Sequence, residues 1–249
     1  MQILPPKTVG IAELNSAIAQ KGYGMLSANS VAEWAGCALS ELQALSPSWD
    51  NMPPDNYLKD GGRYRRRLHS SFVFEHNTLS QVPHRAHWQS LDYNALHGGM
   101  ERWFEPMHEA TVATPAWTKL LTALANTATQ VRGTPNTKWC IEAHQFRIDT
   151  TDGIGRPTPE GAHRDGVDFV AVFMVNRTDI KGGETRVFEA NGPQGERFTL
   201  SEPWSLMLLD DTRMIHESTP IQPLAEGGHR DTLVLTCRAD KFQDAEPSA

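Results

Sequence analysis

A series of short apolar segments in the second half of the chain constrains the fold more than any other feature. Six of them follow Lys138, and turn-forming Gly, Pro, Asn and Asp residues separate them. The segments read KWCIEAHQFRID, DFVAVFMVNR, ETRVFEA, ERFTL, WSLMLLDD and DTLVLTCRA. Short strands at this spacing are typical of an antiparallel sandwich or barrel. The sequence therefore predicts a jelly roll, or double-stranded β-helix, over about residues 136–240.

The first half of the chain shows helical periodicity, with one strand-like interruption. The stretch TVGIAELNSAIAQKG carries apolar residues at helical spacing and stops at Gly22, and SVAEWAGCALSELQALSP repeats the pattern. Thr114 followed by Pro115 marks the start of a third helix, which Gly133 ends. We expect these helices to buttress the jelly roll over about residues 1–135, so that residues 1–249 form one α+β domain.

Composition excludes several classes of protein. The longest apolar runs, such as Phe169–Val175, are far too short to span a bilayer, and the amino-terminal MQILPPKTVG lacks the apolar segment of an export signal. We therefore expect a cytoplasmic protein without membrane contact. The net charge of −7 would repel a phosphate backbone, which argues against nucleic acid and favours a small-molecule substrate. The three cysteines show no CxxC spacing and predict neither a disulfide framework nor a thiolate metal site.

A histidine and an aspartate lie two residues apart where one apolar strand begins. Side chains at this spacing share one face of a strand, so His163 and Asp165 would converge on a point that suits a cation. An isolated HxD is more often an ordinary polar strand entrance. His216, at the end of a later apolar strand, supplies a third ligand. Two histidines and one carboxylate make the facial triad that holds non-haem iron with three positions open.

An arginine further along the chain suits a carboxylate next to this metal. Arg230 stands at the entrance to the last strand, and Thr232 lies on the same face. A guanidinium with a neighbouring hydroxyl can bind a carboxylate through two hydrogen bonds. A triad with open positions beside such an anchor describes the binding of 2-oxoglutarate. Arg238 is a rival anchor, less well placed, and Arg230 could instead pair with Asp231.

On these residues the sequence resembles the Fe(II)/2-oxoglutarate-dependent dioxygenases, with Arg230-x-Thr232 similar to their RxS element. Five further stretches narrow the resemblance to the bacterial subgroup that contains L-isoleucine 4-hydroxylase and related free amino-acid hydroxylases. They are GGRYRRR from Gly61, GGMERWF from Gly98, HQFRID from His144, HRDG from His163 and NRTDIKGGET from Asn176. The similarity runs from about Trp49 to Arg238.

The resemblance implies a reaction and further site residues. It implies Fe(II), 2-oxoglutarate and O₂, hydroxylation of an aliphatic L-amino acid, and release of succinate and CO₂. In the subgroup the HQFRID stretch runs beside the active site. Alternation puts Gln145 and Arg147 on one face of that strand and His144 and Phe146 on the other, and it leaves open which face points inward. We expect Gln145 to contact 2-oxoglutarate and Arg147 to contact the substrate.

The arginine run from Arg63 to Arg67 cannot face solvent throughout if it forms a strand. Alternation turns Arg65 and Arg67 to one face and Arg66 to the other. An arginine that points into the cleft would neutralise the α-carboxylate of an amino-acid substrate. We expect Arg65 and Arg67 to be the inward pair.

Two alternatives from other classes remain open from sequence. A zinc-dependent hydrolase could use the same triad to activate water, but it leaves Arg230 and Thr232 without a purpose. A non-catalytic jelly roll that binds a ligand would make the triad a coincidence. The sequence also leaves open which amino acid and which atom is oxidised, and whether the chain forms a homodimer.

Overall fold

The computed structural model describes residues 4–245, and these residues form five α-helices, a short 3₁₀-helix at Ser46–Trp49 and twelve strands. The helices are α1 (Ile11–Lys21), α2 (Ala28–Ala35), α3 (Leu39–Gln43), α4 (Glu109–Val112) and α5 (Pro115–Arg132). The strands are β1 (Tyr23–Leu26), β2 (Arg65–Glu75), β3 (Thr78–Gln81), β4 (Trp139–Asp149), β5 (Phe169–Thr178), β6 (Ile180–Gly182), β7 (Thr185–Glu189), β8 (Gly195–Phe198), β9 (Leu206–Asp210), β10 (Met214–Ser218), β11 (Ile221–Pro223) and β12 (His229–Ala239).

Seven of the strands form one antiparallel sheet in the order β1-β9-β5-β12-β4-β2-β3. The strands β2, β4 and β12 are eleven residues long and lie side by side. Their register pairs Ile148 with Arg65 on one side and with Arg230 on the other. Because every second side chain points to the same face, this register lines up the inward residues of three strands in rows across the sheet.

A second layer of strands packs on one face of the large sheet. It consists of a three-stranded sheet, β10-β7-β8, and a two-stranded sheet, β11-β6. Apolar side chains of both layers meet in one cluster, which includes Val172 and Met207 of the large sheet and Val187 of the small one. Two antiparallel layers of this kind form a jelly roll, and with the helices they confirm the predicted α+β class.

The helices cover the other face of the large sheet. Phe173 of β5 and Leu233 of β12 point towards them and join one core with Leu124 of α5. The adjacent residues Val172 and Val234 point the opposite way, into the jelly roll. Strand alternation therefore gives the large sheet two buried faces, which explains the continuous apolar runs of β5 and β9.

Two of the three predicted helices are confirmed with their ends. The hydroxyl of Thr114 accepts a hydrogen bond from the N–H of Trp117 at the start of α5, and Gly133 ends that helix at a φ of 66°. Gly22 ends α1 in the same left-handed conformation. The second prediction was wrong in extent. Gly36 takes a φ of 68°, which ends α2 and separates it from α3.

The first 135 residues contribute strands as well as helices. β1 pairs with β9, and β2 and β3 extend the large sheet beyond β4. A helical buttress over about residues 1–135 therefore describes only part of that segment. Among the described residues, no helix combines the length and the apolar character needed to cross a bilayer.

Candidate metal centre and its cavity

Two histidines and an aspartate converge between the two layers of the jelly roll. The backbone N–H of His163 donates to the carbonyl of His216 and the reverse bond also forms, both at 3.0 Å. The two imidazole rings therefore lie side by side, with centres 4.6 Å apart. Oδ1 of Asp165 lies 3.8 Å from Nε2 of His163, and Oδ2 lies 3.8 Å from Nε2 of His216. The three donor atoms lie within 4.8 Å of one another, so one cation can contact all of them.

The protonation of this triad suits a cation. Nδ1 of His163 donates to the carbonyl of Gly161 at 2.9 Å, which leaves Nε2 as the free donor of an electron pair. Burial, and then the neighbouring His163, lower the pKa of His216 to about 4. Burial opposes ionisation of Asp165, but the two histidines lower its pKa. Burial also opposes a charge on His163, but the carboxylates of Asp165 and Glu160 raise its pKa and would equally attract a metal ion.

A buried carboxylate holds the turn that carries Asp165. Asp211 accepts the backbone N–H groups of Asp165, Gly166 and Val167 at 3.0, 2.7 and 3.1 Å. Gly166 has a φ of 78°, and a Cβ at this position would clash with the ring of Tyr93. Both facts explain the glycine that follows the aspartate in HRDG.

The triad opens into a cavity between the sheets, and most of the lining near β2 and β4 is polar. The charged and hydrogen-bonding residues of that wall are Arg65, Arg67, His87, Gln89, Arg102 and His144. The apolar lining residues are Phe146, Pro157, Val172, Met207 and Val234. Glu160, Thr185, Arg230 and Thr232 also line the cavity.

Arg230 places a buried guanidinium in this cavity, and its side chain is only 4% exposed. It has no carboxylate partner within residues 4–245, because the adjacent Asp231 pairs with Arg147 through two bonds of 2.8 Å. Thr232 lines the cavity next to it. Burial, and then the charge of Arg177, lower the pKa of Arg230 to about 10, so the guanidinium remains charged at neutral pH. An unpaired buried cation of this kind is a site for a carboxylate.

Gln145 and Arg147 lie on the face of β4 that points away from the cavity, which corrects the expectation from sequence. Nε2 of Gln145 donates to the hydroxyl of Ser48 at 2.6 Å, on the face of the sheet opposite the cavity. The residues of β4 that line the cavity are His144 and Phe146. Alternation identified the two faces correctly, but the inward one depends on how β4 packs against other elements.

The arginine run has the orientation that alternation predicts. Arg65 and Arg67 line the cavity, while Arg66 turns outwards and is partly exposed. Nε of Arg65 donates to Asp55 at 2.7 Å, so this guanidinium has a counter-ion. Arg67 has none among the described residues, and its Nη2 donates to Nδ1 of His144 at 3.0 Å.

Sequence reasoning missed the contribution of the irregular segment 87–102. Arg102 is 2% exposed, and its Nη2 donates to Oε1 of Gln89 at 2.8 Å. Nε2 of Gln89 in turn donates to Oδ1 of Asp165 at 3.0 Å. Burial, and then the charge of Arg65, lower the pKa of Arg102 to about 10. Its only signal in the sequence is its position within GGMERWF, one of the stretches that carry the family resemblance.

A second buried cluster joins His69, His87, Glu142 and His144, whose donor atoms also lie within 4.8 Å of one another. Oε1 of Glu142 accepts from Nε2 of His69 at 3.1 Å and from Nδ1 of His87 at 3.3 Å. Nδ1 of His144 accepts from Arg67, because a guanidinium can only donate. His144 therefore carries its proton on Nε2 and has no free nitrogen for a metal. We interpret the cluster as a hydrogen-bonded network.

The family model described as 2OG-Fe dioxygenase matches residues 46–236 of the sequence. This span contains the triad, Arg230 and the arginines of β2. The chain therefore belongs to the 2OG-Fe dioxygenase family. No curated protein matches the sequence.

Solved structures show the same fold over nearly the whole chain. The crystal structure of a bsmA homolog from Methylobium petroleophilum PM1 is 48% identical, with a TM-score of 0.91 over 98% of this chain and 99% of that one. IDO from Bacillus thuringiensis is 18% identical, with a TM-score of 0.75 over 93% and 100%. The Fe(II)/(alpha)ketoglutarate-dependent dioxygenase TqaL is 19% identical, with a TM-score of 0.66 over 95% and 92%.

As a member of this family, the protein is a non-haem iron dioxygenase that uses Fe(II), 2-oxoglutarate and O₂. The residues present fit that chemistry, because two imidazole nitrogens and one carboxylate oxygen converge in a facial set. Membership of this family excludes the two alternatives considered from sequence, a zinc hydrolase and a non-catalytic jelly roll.

Proposed function

We propose that this dioxygenase hydroxylates a free or lightly modified aliphatic L-amino acid. The carbon–hydrogen bond of the substrate would become a carbon–hydroxyl bond, while 2-oxoglutarate and O₂ yield succinate and CO₂. One observation carries the proposal: the cavity of the triad also contains guanidinium groups without counter-ions and a carboxylate, Glu160, with one buried oxygen that has no hydrogen-bond partner. The resemblance to the bacterial free amino-acid hydroxylases supports the same substrate class.

The arginines on the β2 side of the cavity would bind the α-carboxylate. Arg67 and Arg102 have no carboxylate partner among the described residues, and Nε of each lacks a hydrogen bond. A buried charge without a counter-ion is unfavourable, so a substrate carboxylate between them would be stabilised. Arg65 adds a third guanidinium, whose charge Asp55 already balances.

Glu160 would bind the α-ammonium group. Its Oε2 is buried without a hydrogen-bond partner, and its Oε1 lies 3.6 Å from Nε2 of His163. The carboxylate therefore lies beside the metal triad and lines the same cavity as the arginines. Cationic and anionic groups with free hydrogen-bonding atoms in one cavity complement a zwitterion better than a simple anion.

An apolar patch in the cavity would contact the aliphatic part of the substrate. Val172, Val234 and Met207 come from adjacent strands, since Val172 pairs with both of the other residues. Phe146 of β4 lines the cavity as well. Contact with these side chains removes apolar surface from water, at about 25 cal/mol for each Å² buried.

The remaining groups would hold the metal and the co-substrate. His163, Asp165 and His216 would bind Fe(II), and Arg230 with Thr232 would bind the distal carboxylate of 2-oxoglutarate. When bound, the iron supplies activation of O₂ for insertion of oxygen into the carbon–hydrogen bond. The chain's own residues orient the substrate and exclude water.

We further assign the reaction to the cytoplasm. Cys37, Cys140 and Cys237 are free thiols, and two of them are buried. Free thiols are usual in reducing compartments, where disulfides are rare.

A panel of L-amino acids tests the substrate class. The protein is reconstituted with Fe(II), and succinate formation from 2-oxoglutarate is measured with each amino acid in turn. We expect aliphatic L-amino acids to stimulate succinate release and to gain one oxygen atom, detected by mass spectrometry. The panel also includes the matching amines, which lack the α-carboxylate. If no L-amino acid stimulates succinate release, or if only the amines do, the assignment is wrong.

Substitution within the arginine run provides a matched comparison. Arg67→Met should raise KM for the amino acid about tenfold to more than a hundredfold, because a charge-assisted hydrogen bond contributes about 1.5–3 kcal/mol. Arg66→Met, on the outward face, is the control and should leave KM unchanged. Equal effects of the two substitutions would contradict the assigned carboxylate site.

A further inference from the structure

The irregular segment 87–102 reaches the metal triad through a single side chain. Gln89 is 6% exposed, and its Nε2 donates to Oδ1 of Asp165 at 3.0 Å. Oδ2 of Asp165 accepts no hydrogen bond from any described residue, and it is the oxygen that faces His216. The two oxygens of this ligand therefore have different surroundings before any metal binds.

The orientation of the Gln89 amide follows from its other neighbours. Nη2 of Arg102 donates to Oε1 at 2.8 Å, and Nδ2 of Asn94 donates to the same oxygen at 3.1 Å. A guanidinium has no acceptor, so the oxygen end of the amide must face Arg102. The nitrogen end then faces Asp165, whose ionised carboxylate can only accept. The donors and acceptors along this chain of hydrogen bonds therefore allow only one orientation of the Gln89 amide.

We propose that Gln89 is a positioning residue for the metal ligand Asp165, and that Arg102 and Asn94 hold Gln89 in the required orientation. By donating to Oδ1, Gln89 restrains rotation of the carboxylate and leaves Oδ2 free to ligate. Partners that orient a metal ligand typically change metal affinity by about 10- to 100-fold. The irregular segment thus acts on the metal site without contributing a ligand.

The same chain of bonds connects the metal ligand to the substrate site. Arg102 lines the cavity and is one of the guanidinium groups assigned above to the α-carboxylate. This second part rests on the proposed function, whereas the role of Gln89 towards Asp165 does not. A substrate bound to Arg102 would contact the residue that orients Gln89, two hydrogen bonds away from Asp165.

Metal titration in the absence of 2-oxoglutarate and amino acid tests the role of Gln89. Co(II) is the probe, because its visible absorption reports both binding and ligand geometry. Gln89→Met keeps the length of the side chain and removes the donor. We expect this variant to bind Co(II) about 10- to 100-fold more weakly, with an altered spectrum. Gln81→Met, an exposed position on β3, is the control and should match the parent protein.

A second variant guards against loss of folding. Arg102→Met leaves Gln89 in place but removes the closer of the two groups that fix the amide, and it should weaken Co(II) binding by a smaller factor. Thermal unfolding of each variant is measured alongside. Parent-like Co(II) affinity in a folded Gln89→Met protein would overturn the proposal, as would parent-like affinity in Arg102→Met if Gln89→Met does not fold. The Co(II) affinities do not depend on the substrate, so they would stand even if no amino acid in the panel stimulated succinate release.

Discussion

Arg230, which we propose as the anchor of 2-oxoglutarate, shows how burial can prepare a single side chain to bind a ligand. Its guanidinium lies in the cavity without a counter-ion, while Arg147, on the other face of the sheet, takes the carboxylate of Asp231. The competing position, Arg238, lies outside the cavity and donates to the backbone carbonyl of Phe242. Of the arginines considered from sequence as the 2-oxoglutarate anchor, only Arg230 therefore has a guanidinium that lines the cavity and lacks a counter-ion among the described residues.

Arg230→Met should weaken 2-oxoglutarate binding about tenfold to more than a hundredfold, since a charge-assisted bidentate contact contributes about 1.5–3 kcal/mol. The Kd for 2-oxoglutarate is measured by anaerobic titration of the Fe(II) protein. Arg238→Met is the matched control and should bind 2-oxoglutarate like the parent. An unchanged Kd in Arg230→Met would show that another residue binds the distal carboxylate of 2-oxoglutarate.

At the scale of single elements, β4 shows what alternation can and cannot predict. The pattern of HQFRID separates Gln145 and Arg147 from His144 and Phe146, and the structure has this separation. Which face is inward depends on the register with β12, where Arg147 lies opposite Asp231. That partner is 84 residues away in the chain, so no local pattern identifies it.

The Arg147–Asp231 pair predicts a structural role in place of the expected substrate contact. Its side chains are 16% and 2% exposed, so Arg147→Met would remove both close hydrogen bonds from a buried carboxylate and leave only His229, 3.6 Å away, beside it. We expect the free energy of unfolding to fall by about 3–5 kcal/mol, with 2-oxoglutarate affinity unchanged in the folded protein. Urea unfolding measures the first quantity and titration the second.

The pair between Arg63 and Asp152 is the control for this prediction, because the Arg63 side chain is 80% exposed. Arg63→Met should leave the free energy of unfolding nearly unchanged, because solvent screens an exposed pair. A comparable loss in both variants would mean that burial does not determine the contribution of the Arg147 pair.

For the whole molecule, the buried histidine network sets a dependence of stability on pH. Burial, and then the charge of Arg67, lower the pKa of His144, and burial lowers the pKa of His69 although Glu142 opposes it. Burial also lowers the pKa of His87, to about 3. Below about pH 6.5 these three histidines therefore bind more protons in the unfolded chain than in the folded one. Their contribution to stability is fully present above about pH 6.5 and falls as the pH is lowered, while Asp211, whose pKa burial raises to about 7, acts in the opposite direction.

We expect His87 to cost about 1 kcal/mol of unfolding free energy between pH 7 and pH 5.5, with His69 and His144 acting in the same direction. Denaturant unfolding at the two pH values measures the difference. His87→Gln keeps a donor for Glu142 and should reduce the difference by about 1 kcal/mol. His76→Asn, at an exposed turn, is the control and should not change it. A difference between the two pH values that is the same in His87→Gln as in the parent protein would contradict the contribution of the network.

The fold as a whole was more predictable than the site. Six strands, two helices and the pairing of HxD with a later histidine follow from local patterns, because alternation and caps are local effects. The wall formed by the segment 87–102 does not, since it has no regular structure and its residues act through contacts with β2, β4 and Asp165. The contacts of Arg102 and Gln89 can be recognised only in the three-dimensional structure.

The order of strands has a consequence for how the protein is made. β12, which is the last strand within residues 4–245, occupies the centre of the seven-stranded sheet between β5 and β4. A nascent chain on the ribosome has no partner for the facing edges of those two strands until residues 229–239 have emerged. The sheet therefore cannot close until β12 has been made. Until then the exposed apolar edges are the part of the molecule on which chaperones would act.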